Sequence, residues 1–160
     1  MKIETQCLHA GQAPDSDTNS RGVPVYRTTA YTFDSAEHAR KLFSLEELGN
    51  IYSRIMNPTQ DVLEKRVAAM EGGAAALAVA SGTNAIFYTV VNICQSGDHI
   101  VSANNLYGGS YTQFNDILPK FGITTTFVDP QKPQDFAAAI QPNTKMIFCE
   151  TIGNTEMNVT

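Results

Sequence analysis

Residues 77–103 read LAVASGTNAIFYTVVNICQSGDHIVSA, and this stretch decides the fold. The short apolar run LAVA (77–80) predicts a buried strand, and the turn after it opens a helix expected over Thr83–Cys94, ending before Gly97. HIVSA (99–103) predicts a second strand. The same alternation continues downstream. A helix is expected over Gly109–Phe121, closed by Gly122, then a strand at TTTFV (124–128). A short helix over Gln134–Ile140 stands behind Pro133, and MIFCE (146–150) predicts a fourth strand. Continuous apolar strands alternating with helices imply an α/β fold with a mainly parallel sheet covered on both faces.

Upstream the pattern differs. Residues 1–33 hold many turn formers (Gly11, Pro14, Asp15, Asp17, Asn19, Gly22, Pro24) and predict an extended arm with a strand-like stretch at Val25–Phe33. Asp34-Ser35-Ala36-Glu37 has capping-box spacing and should open a helix with Ala36, Ala39, Leu42, Phe43 and Leu45 near one face. Asn57-Pro58 combines a cap with proline at the first helical position, and Val62, Leu63, Val67 and Met70 form an apolar stripe closed by Gly72-Gly73. Residues 1–56 are therefore expected to form an arm and interface segment, and residues 57–160 the first part of the α/β domain.

Composition narrows the function classes. Eleven Lys+Arg against 16 Asp+Glu give 11 − 16 = −5, with no basic stripe to neutralise phosphates, which argues against a nucleic-acid partner. Hydrophobic residues at 42% and charged residues at 17% exclude a disordered chain. No apolar run reaches the ~18 residues of a membrane span. The start, MKIETQCLHAGQ, lacks the apolar core of a secretory signal, so a cytoplasmic location is expected. Cys7, Cys94 and Cys149 form neither a metal motif nor a disulfide framework, and Cys94 and Cys149 read as buried, inert thiols. No metal site is expected. His9 and His38 read as surface residues, and His99 opens a strand. The chain stops at GNTEMNVT just after a strand-like segment, which reads as a piece of something longer.

Several short stretches could carry chemistry, and each has a plainer reading. In Ala80-Ser81-Gly82-Thr83-Asn84, the N–H groups of Gly82 and Thr83 would point outward at a positive helix end, suited to a phosphate or carboxylate. Many strand-to-helix turns of this kind bind nothing. The glycines match neither GxGxxG nor a Walker loop, and no GxSxG elbow is present. Tyr107, followed by Gly108-Gly109, stands past the carboxyl end of a strand, where ligands sit in parallel sheets. It could lay its ring on a planar ligand, or pack on its own helix. Tyr52-Ser53-Arg54 offers a guanidinium fork and a phenol for phosphate, or a solvated arginine beside a packed tyrosine. Glu150 reads as a helix or loop cap, and Asn154 could donate to a ligand oxygen at the same edge.

Taken in order, Tyr52-Ser53-Arg54-Ile55-Met56-Asn57-Pro58-Thr59, LEKRVAAMEGG, ASGTNAI, NLYGGSY and ETIGN resemble the Cys/Met-metabolism family of pyridoxal-phosphate (PLP) enzymes. The opening TQCLHAGQAPDSDTNSRGVPVYRTTAYTFDSAEHARKLF is most similar to its O-acetylhomoserine sulfhydrylase branch. The resemblance covers essentially the whole chain. It implies the first part of a fold-type-I PLP-dependent transferase large domain, with pyridoxal 5'-phosphate as cofactor. The implied reaction is sulfhydrylation of O-acetyl-L-homoserine by a sulfide or thiol donor in methionine biosynthesis. Cystathionine γ-synthase, methionine γ-lyase and a non-catalytic, phosphate-binding oligomerising fragment stay open as alternatives.

The resemblance also implies residue roles. Gly82 and Thr83 would hold the cofactor phosphate through their backbone, and Tyr107 would stack on its ring as this chain's contribution to the reacting centre. Asn154 would lie near the ring oxygen. Tyr52 and Arg54 would reach the phosphate of a neighbouring subunit's cofactor, and the arm at residues 1–33 would lie on neighbours in a dimer of dimers. The family's Schiff-base lysine and the aspartate facing the pyridinium nitrogen are expected beyond residue 160. Gly153-Asn154-Thr155 stands where the family usually has GNP, which bears on the aim of Asn154.

Overall fold

The computed structural model describes residues 1–154 and 156–160. They form two compact units, Met1–Ala78 and Val79–Thr160. The boundary expected at residues 56/57 lies within the first unit.

The first unit carries three helices, α1 (Ile3–His9), α2 (Ala36–Phe43) and α3 (Pro58–Glu71). The expected arm therefore begins with a helix. No residue of α1 is buried, and polar contacts at its end attach it to α3. Arg66 Nε donates to the Ala10 carbonyl at 2.9 Å, and the same guanidinium donates to the Gln12 side-chain oxygen. Gly11 sits between them at φ +77°, where a Cβ would come 2.8 Å from backbone atoms of Arg66 and Val62. The close approach, as well as the left-handed backbone, requires glycine. Residues 25–33 are not a strand. Among the described residues, their one ladder contact is an antiparallel bridge between Ala30 and Tyr52. Nearby backbone groups bond to side chains instead: Tyr26 N–H donates to Thr59 Oγ1 at 2.9 Å, and Asn57 Nδ2 donates to the Tyr26 carbonyl at 3.0 Å.

The cap of α2 is Ser35, one residue later than the spacing Asp34–Glu37 implied. Ser35 Oγ accepts the His38 N–H at 3.0 Å, and His38 Nδ1 accepts the Asp34 N–H at 3.2 Å, so an imidazole completes the reciprocal cap. Glu37 is left to pair with Arg40 at 2.8 Å, and Arg40 also reaches Glu46 at 2.7 Å. Only Leu42 of the expected apolar face is buried; Phe43 and Leu45 are exposed. Helix α3 begins as anticipated, with Asn57 Oδ1 accepting Thr59 N–H at 2.9 Å and Pro58 in the first turn. It stops at Gly72, whose φ of +65° suits a glycine cap. Its stripe is mostly uncovered: Leu63, Val67 and Met70 are exposed, while Ala68 is buried.

The second unit alternates α4 (Gly82–Ile93), β1 (His99–Ala103), α5 (Gly108–Thr112), β2 (Thr124–Val128), α6 (Pro133–Ala139) and β3 (Thr144–Phe148). The sheet order is β2-β1-β3 and both pairings are parallel, which bears out the expected α/β class. Central β1 is buried at every position. Val90, Cys94, Ile100, Phe114, Leu118 and Ile123 form the core under it. The predicted helix 109–121 is helical throughout but changes its winding. After α5 comes a π turn, Gln113–Ile117, then a 3₁₀ turn, Leu118–Phe121. Pro119 has no N–H to continue an α ladder. Gly122, at φ +76°, ends the helix as anticipated.

Two strand expectations need correction. Among the described residues, LAVA (77–80) joins no strand ladder. Both edges of β1 are taken by β2 and β3, and the Ala78 N–H donates to Glu64 Oε1 at 2.8 Å. The last strand runs over Thr144–Phe148 rather than 146–150, because Thr144 is already aligned with His99. There the imidazole of His99, 1% exposed, bridges three strands: Nδ1 meets Thr144 Oγ1 and Nε2 meets Thr126 Oγ1, each at 2.8 Å. Cys94 is buried as expected, and that burial pushes its thiol up, with Asp98 adding to the rise. Cys149 lies past the end of β3 and is exposed, contrary to its apolar context in the sequence.

Candidate functional site

The carboxyl ends of β1 and β3 are neighbours in a parallel pair, so the segments that leave them, Asn104–Tyr107 and Cys149–Asn154, emerge at the same edge. The two loops are joined through Asn105. Its carbonyl accepts the Asn154 N–H at 3.0 Å, and its Nδ2 donates to Asn158 Oδ1 at 2.7 Å. Gly153 N–H donates to the Asn158 carbonyl at 2.8 Å. A Cβ on Gly153 would collide with both asparagine side chains, so the loop closes only around a glycine. Asn154 is thus held by its backbone, and its side chain is exposed. Thr155, which carries the departure from GNP, lies outside the described residues.

Tyr107 ends the first loop, immediately before α5. Its N–H donates to both oxygens of Glu150, at 3.0 and 3.2 Å, which bears out Glu150 as a loop cap. Tyr107 is 55% exposed, and its ring lies over Gly109, where a Cβ would stand 2.6 Å from ring Cε1. The ring is therefore a presented face rather than part of the core.

Helix α4 begins at Gly82, behind the cap Ser81, whose Oγ accepts the Asn84 N–H at 3.2 Å. The Gly82 and Thr83 N–H groups have no acceptor among the described residues. No acidic residue stands in the first turn of α4. Gly82 opens onto free space, with nothing within 4 Å of a Cβ position. Gln113, 6% exposed, donates its Nε2 to the Thr83 carbonyl at 3.1 Å and so ties this turn to the helical run that starts after Tyr107. Gln113 Oε1 and Asn105 Oδ1 are buried acceptors without a partner among the described residues. Buried polar atoms seldom remain so, and Tyr31 Oη and Thr125 Oγ1 share that state elsewhere among the described residues.

Tyr52 and Arg54 belong to the first unit. They lie in a turn closed by the Tyr52 carbonyl, which accepts from Ile55 N–H at 2.8 Å and Met56 N–H at 3.0 Å. The Arg54 guanidinium carbon sits 5.2 Å from the centre of the Tyr52 ring. Among the described residues no carboxylate pairs with Arg54. A charged fork stacked on an aromatic face and unspent on an internal anion is available for an external one.

Gly82, Thr83, Tyr107 and Asn154 all fall in the second unit, Tyr52 and Arg54 in the first. Residue-by-residue reading of the sequence missed Asn105, Gln113 and Asn158. The available signals were a paired Asn104-Asn105 after a strand and a glutamine inside an apolar helical face.

Residues 4–160 match the family of Cys/Met metabolism PLP-dependent enzymes. The chain belongs to that family. It is 54% identical to a homocysteine synthase of Schizosaccharomyces pombe over 157 residues, which is 98% of this chain and 37% of that protein. It is 52% identical to O-acetyl-L-homoserine sulfhydrylase 1 of Thermus thermophilus, covering 99% of this chain and 38% of that one. Among solved structures, a candidate O-acetylhomoserine (thiol)-lyase of Campylobacter jejuni matches 99% of this chain and 39% of its own, with a TM-score of 0.91 and 41% identity. That structure contains N'-pyridoxyl-lysine-5'-monophosphate. The chain thus spans little more than a third of the length of the relatives it matches, and within that span it has the fold-type-I architecture of the family.

The family's cofactor is pyridoxal phosphate, and the second unit fits it. Two free N–H groups at a twelve-residue helix suit the phosphate, and a presented phenol ring suits a planar heterocycle.

Proposed function

We propose that this chain forms the N-terminal portion of a cytoplasmic PLP-dependent enzyme that replaces the acetate of O-acetyl-L-homoserine with sulfide. The products would be homocysteine, for methionine biosynthesis, and acetate. The observation that carries this reading is the 54% identity, across 98% of the chain, to a protein named homocysteine synthase.

In this reading the Gly82 and Thr83 N–H groups grip the phosphate with the positive end of α4 behind them. Tyr107 covers one face of the ring and excludes water from it. Asn154 donates toward the ring oxygen from a loop whose backbone Asn105 and Asn158 hold still. Bound there, pyridoxal phosphate supplies an electron sink for the amino-acid substrate. Tyr52 and Arg54 serve the phosphate in a neighbouring subunit, in a dimer of dimers. This assignment is supported by Arg54 having no carboxylate partner among the described residues.

The test is turnover by the complete protein. With O-acetyl-L-homoserine and sulfide it should release equal amounts of homocysteine and acetate. Release of an oxo acid from methionine, with no acetate from the acetyl ester, would refute the reading in favour of a γ-lyase.

A further inference from the structure

The exposed ring of Tyr107 receives little guidance from packing, so something else must set its direction. Its backbone is fixed by one contact from far along the chain: both oxygens of Glu150, 43 residues later, accept the Tyr107 N–H. A carboxylate acceptor makes this bond about twice as strong as a neutral one. Glu150 is itself anchored, since its carbonyl accepts the Thr160 hydroxyl at 2.8 Å. Among the described residues no lysine or arginine pairs with its carboxylate, so its charge is committed to the turn that bears the tyrosine. On the other side of that turn the ring lies over Gly109, which leaves no room for a Cβ. The ring is thus held from its backbone by an anion after β3 and given its direction by a glycine in α5.

We infer that Glu150 is a positioning residue for Tyr107, holding the turn so that the ring faces the cofactor. This rests on the cofactor-stacking role proposed for Tyr107. Glu150 touches neither cofactor nor substrate in this account, and everything it contributes passes through the tyrosine.

Deleting the acceptor should therefore lose no more than the ring itself contributes. The holoenzyme is stripped of its cofactor and titrated with pyridoxal phosphate, following absorbance. Glu150→Ala and Glu150→Met, which keeps the length but has no acceptor oxygen, should each weaken binding by about two- to tenfold, the range set by one aromatic contact. Glu150→Gln, which keeps an acceptor oxygen, should restore affinity to within about twofold of the parent. In a Tyr107→Ala background the Ala and Met changes should add nothing. Additive losses, or parent-like binding by the Ala and Met variants while Tyr107→Ala is weakened, would overturn the positioning role. Unchanged affinity in Tyr107→Ala itself would instead overturn the stacking role beneath it. The Met variant carries the test if the Ala variant does not fold.

Discussion

Gly153→Ala should loosen the loop that carries Asn154. The added Cβ would stand 3.0 Å from Asn105 Cγ and closer still to the amide ends of Asn105 and Asn158. Those two amides share a 2.7 Å hydrogen bond, and Asn105 is 6% exposed. The side chains must therefore separate. Overpacking a filled site costs about 1–3 kcal/mol. Breaking the bond leaves a buried amide unsatisfied, roughly another 1–3 kcal/mol. Separation relieves part of the overlap, so the two do not simply add, and a total of about 2–4 kcal/mol is expected. Urea unfolding followed by circular dichroism gives the number. A cycle isolates its cause: in an Asn105→Ala/Asn158→Ala background the clash and the bond are both gone, and Gly153→Ala should cost under about 1 kcal/mol. An equal cost in both backgrounds would show that Gly153 is required for its backbone alone and refute the account of the loop.

Three further outcomes are expected. Burial holds the His99 imidazole below its ordinary 6.5, so its contribution to stability is complete above that pH and is lost as pH falls through the folded-state value. Unfolding free energy measured from about pH 7 down to pH 5 should therefore fall less steeply in His99→Gln than in the parent, and parallel curves would contradict the buried bridge. For Tyr107, replacement by Phe should retain the cofactor, while replacement by Ala should weaken pyridoxal-phosphate binding by up to about tenfold in a fluorescence titration. Arg54→Ala should lower cofactor affinity by about 1.5–3 kcal/mol, more than Tyr52→Phe does, because a charge-assisted contact to phosphate exceeds a neutral one. The reverse order in the same titration would remove Arg54 from the phosphate.

What could be read from the chain directly were features settled within a few residues of each other. Asn57-Pro58 starts α3 and Gly72 stops it, because cap, proline and left-handed glycine act on adjacent backbone groups. Strand β1 falls where the sequence places it, since a buried five-residue run bounded by turns has few other places to go, and β2 follows from its β-branched and aromatic TTTFV run. The exposed turn at Ser81-Gly82-Thr83 and the tyrosine before Gly108-Gly109 were visible for the same reason. The ordered motifs went further, and named the family and its cofactor.

The rest depended on partners distant in the chain. LAVA has strand composition, yet its backbone finds Glu64 instead of a ladder, because composition states a preference and only an available neighbour makes a strand. Ser35 displaces Asp34 as the cap of α2 once His38 can answer it. Cys149, apolar in context, ends up exposed past the last rung of β3. Glu150 could be named a cap from the sequence, but not whose; its partner, Tyr107, is 43 residues away. Asn105 meets Asn158 across 53 residues, and Gln113 meets Thr83 across 30. Such contacts follow from parallel pairing, which gathers strand ends that the chain itself keeps far apart. The sequence by itself determined the α/β class and the family, and suggested the residues proposed to meet a cofactor; the tertiary structure decided which distant polar groups hold those residues in place.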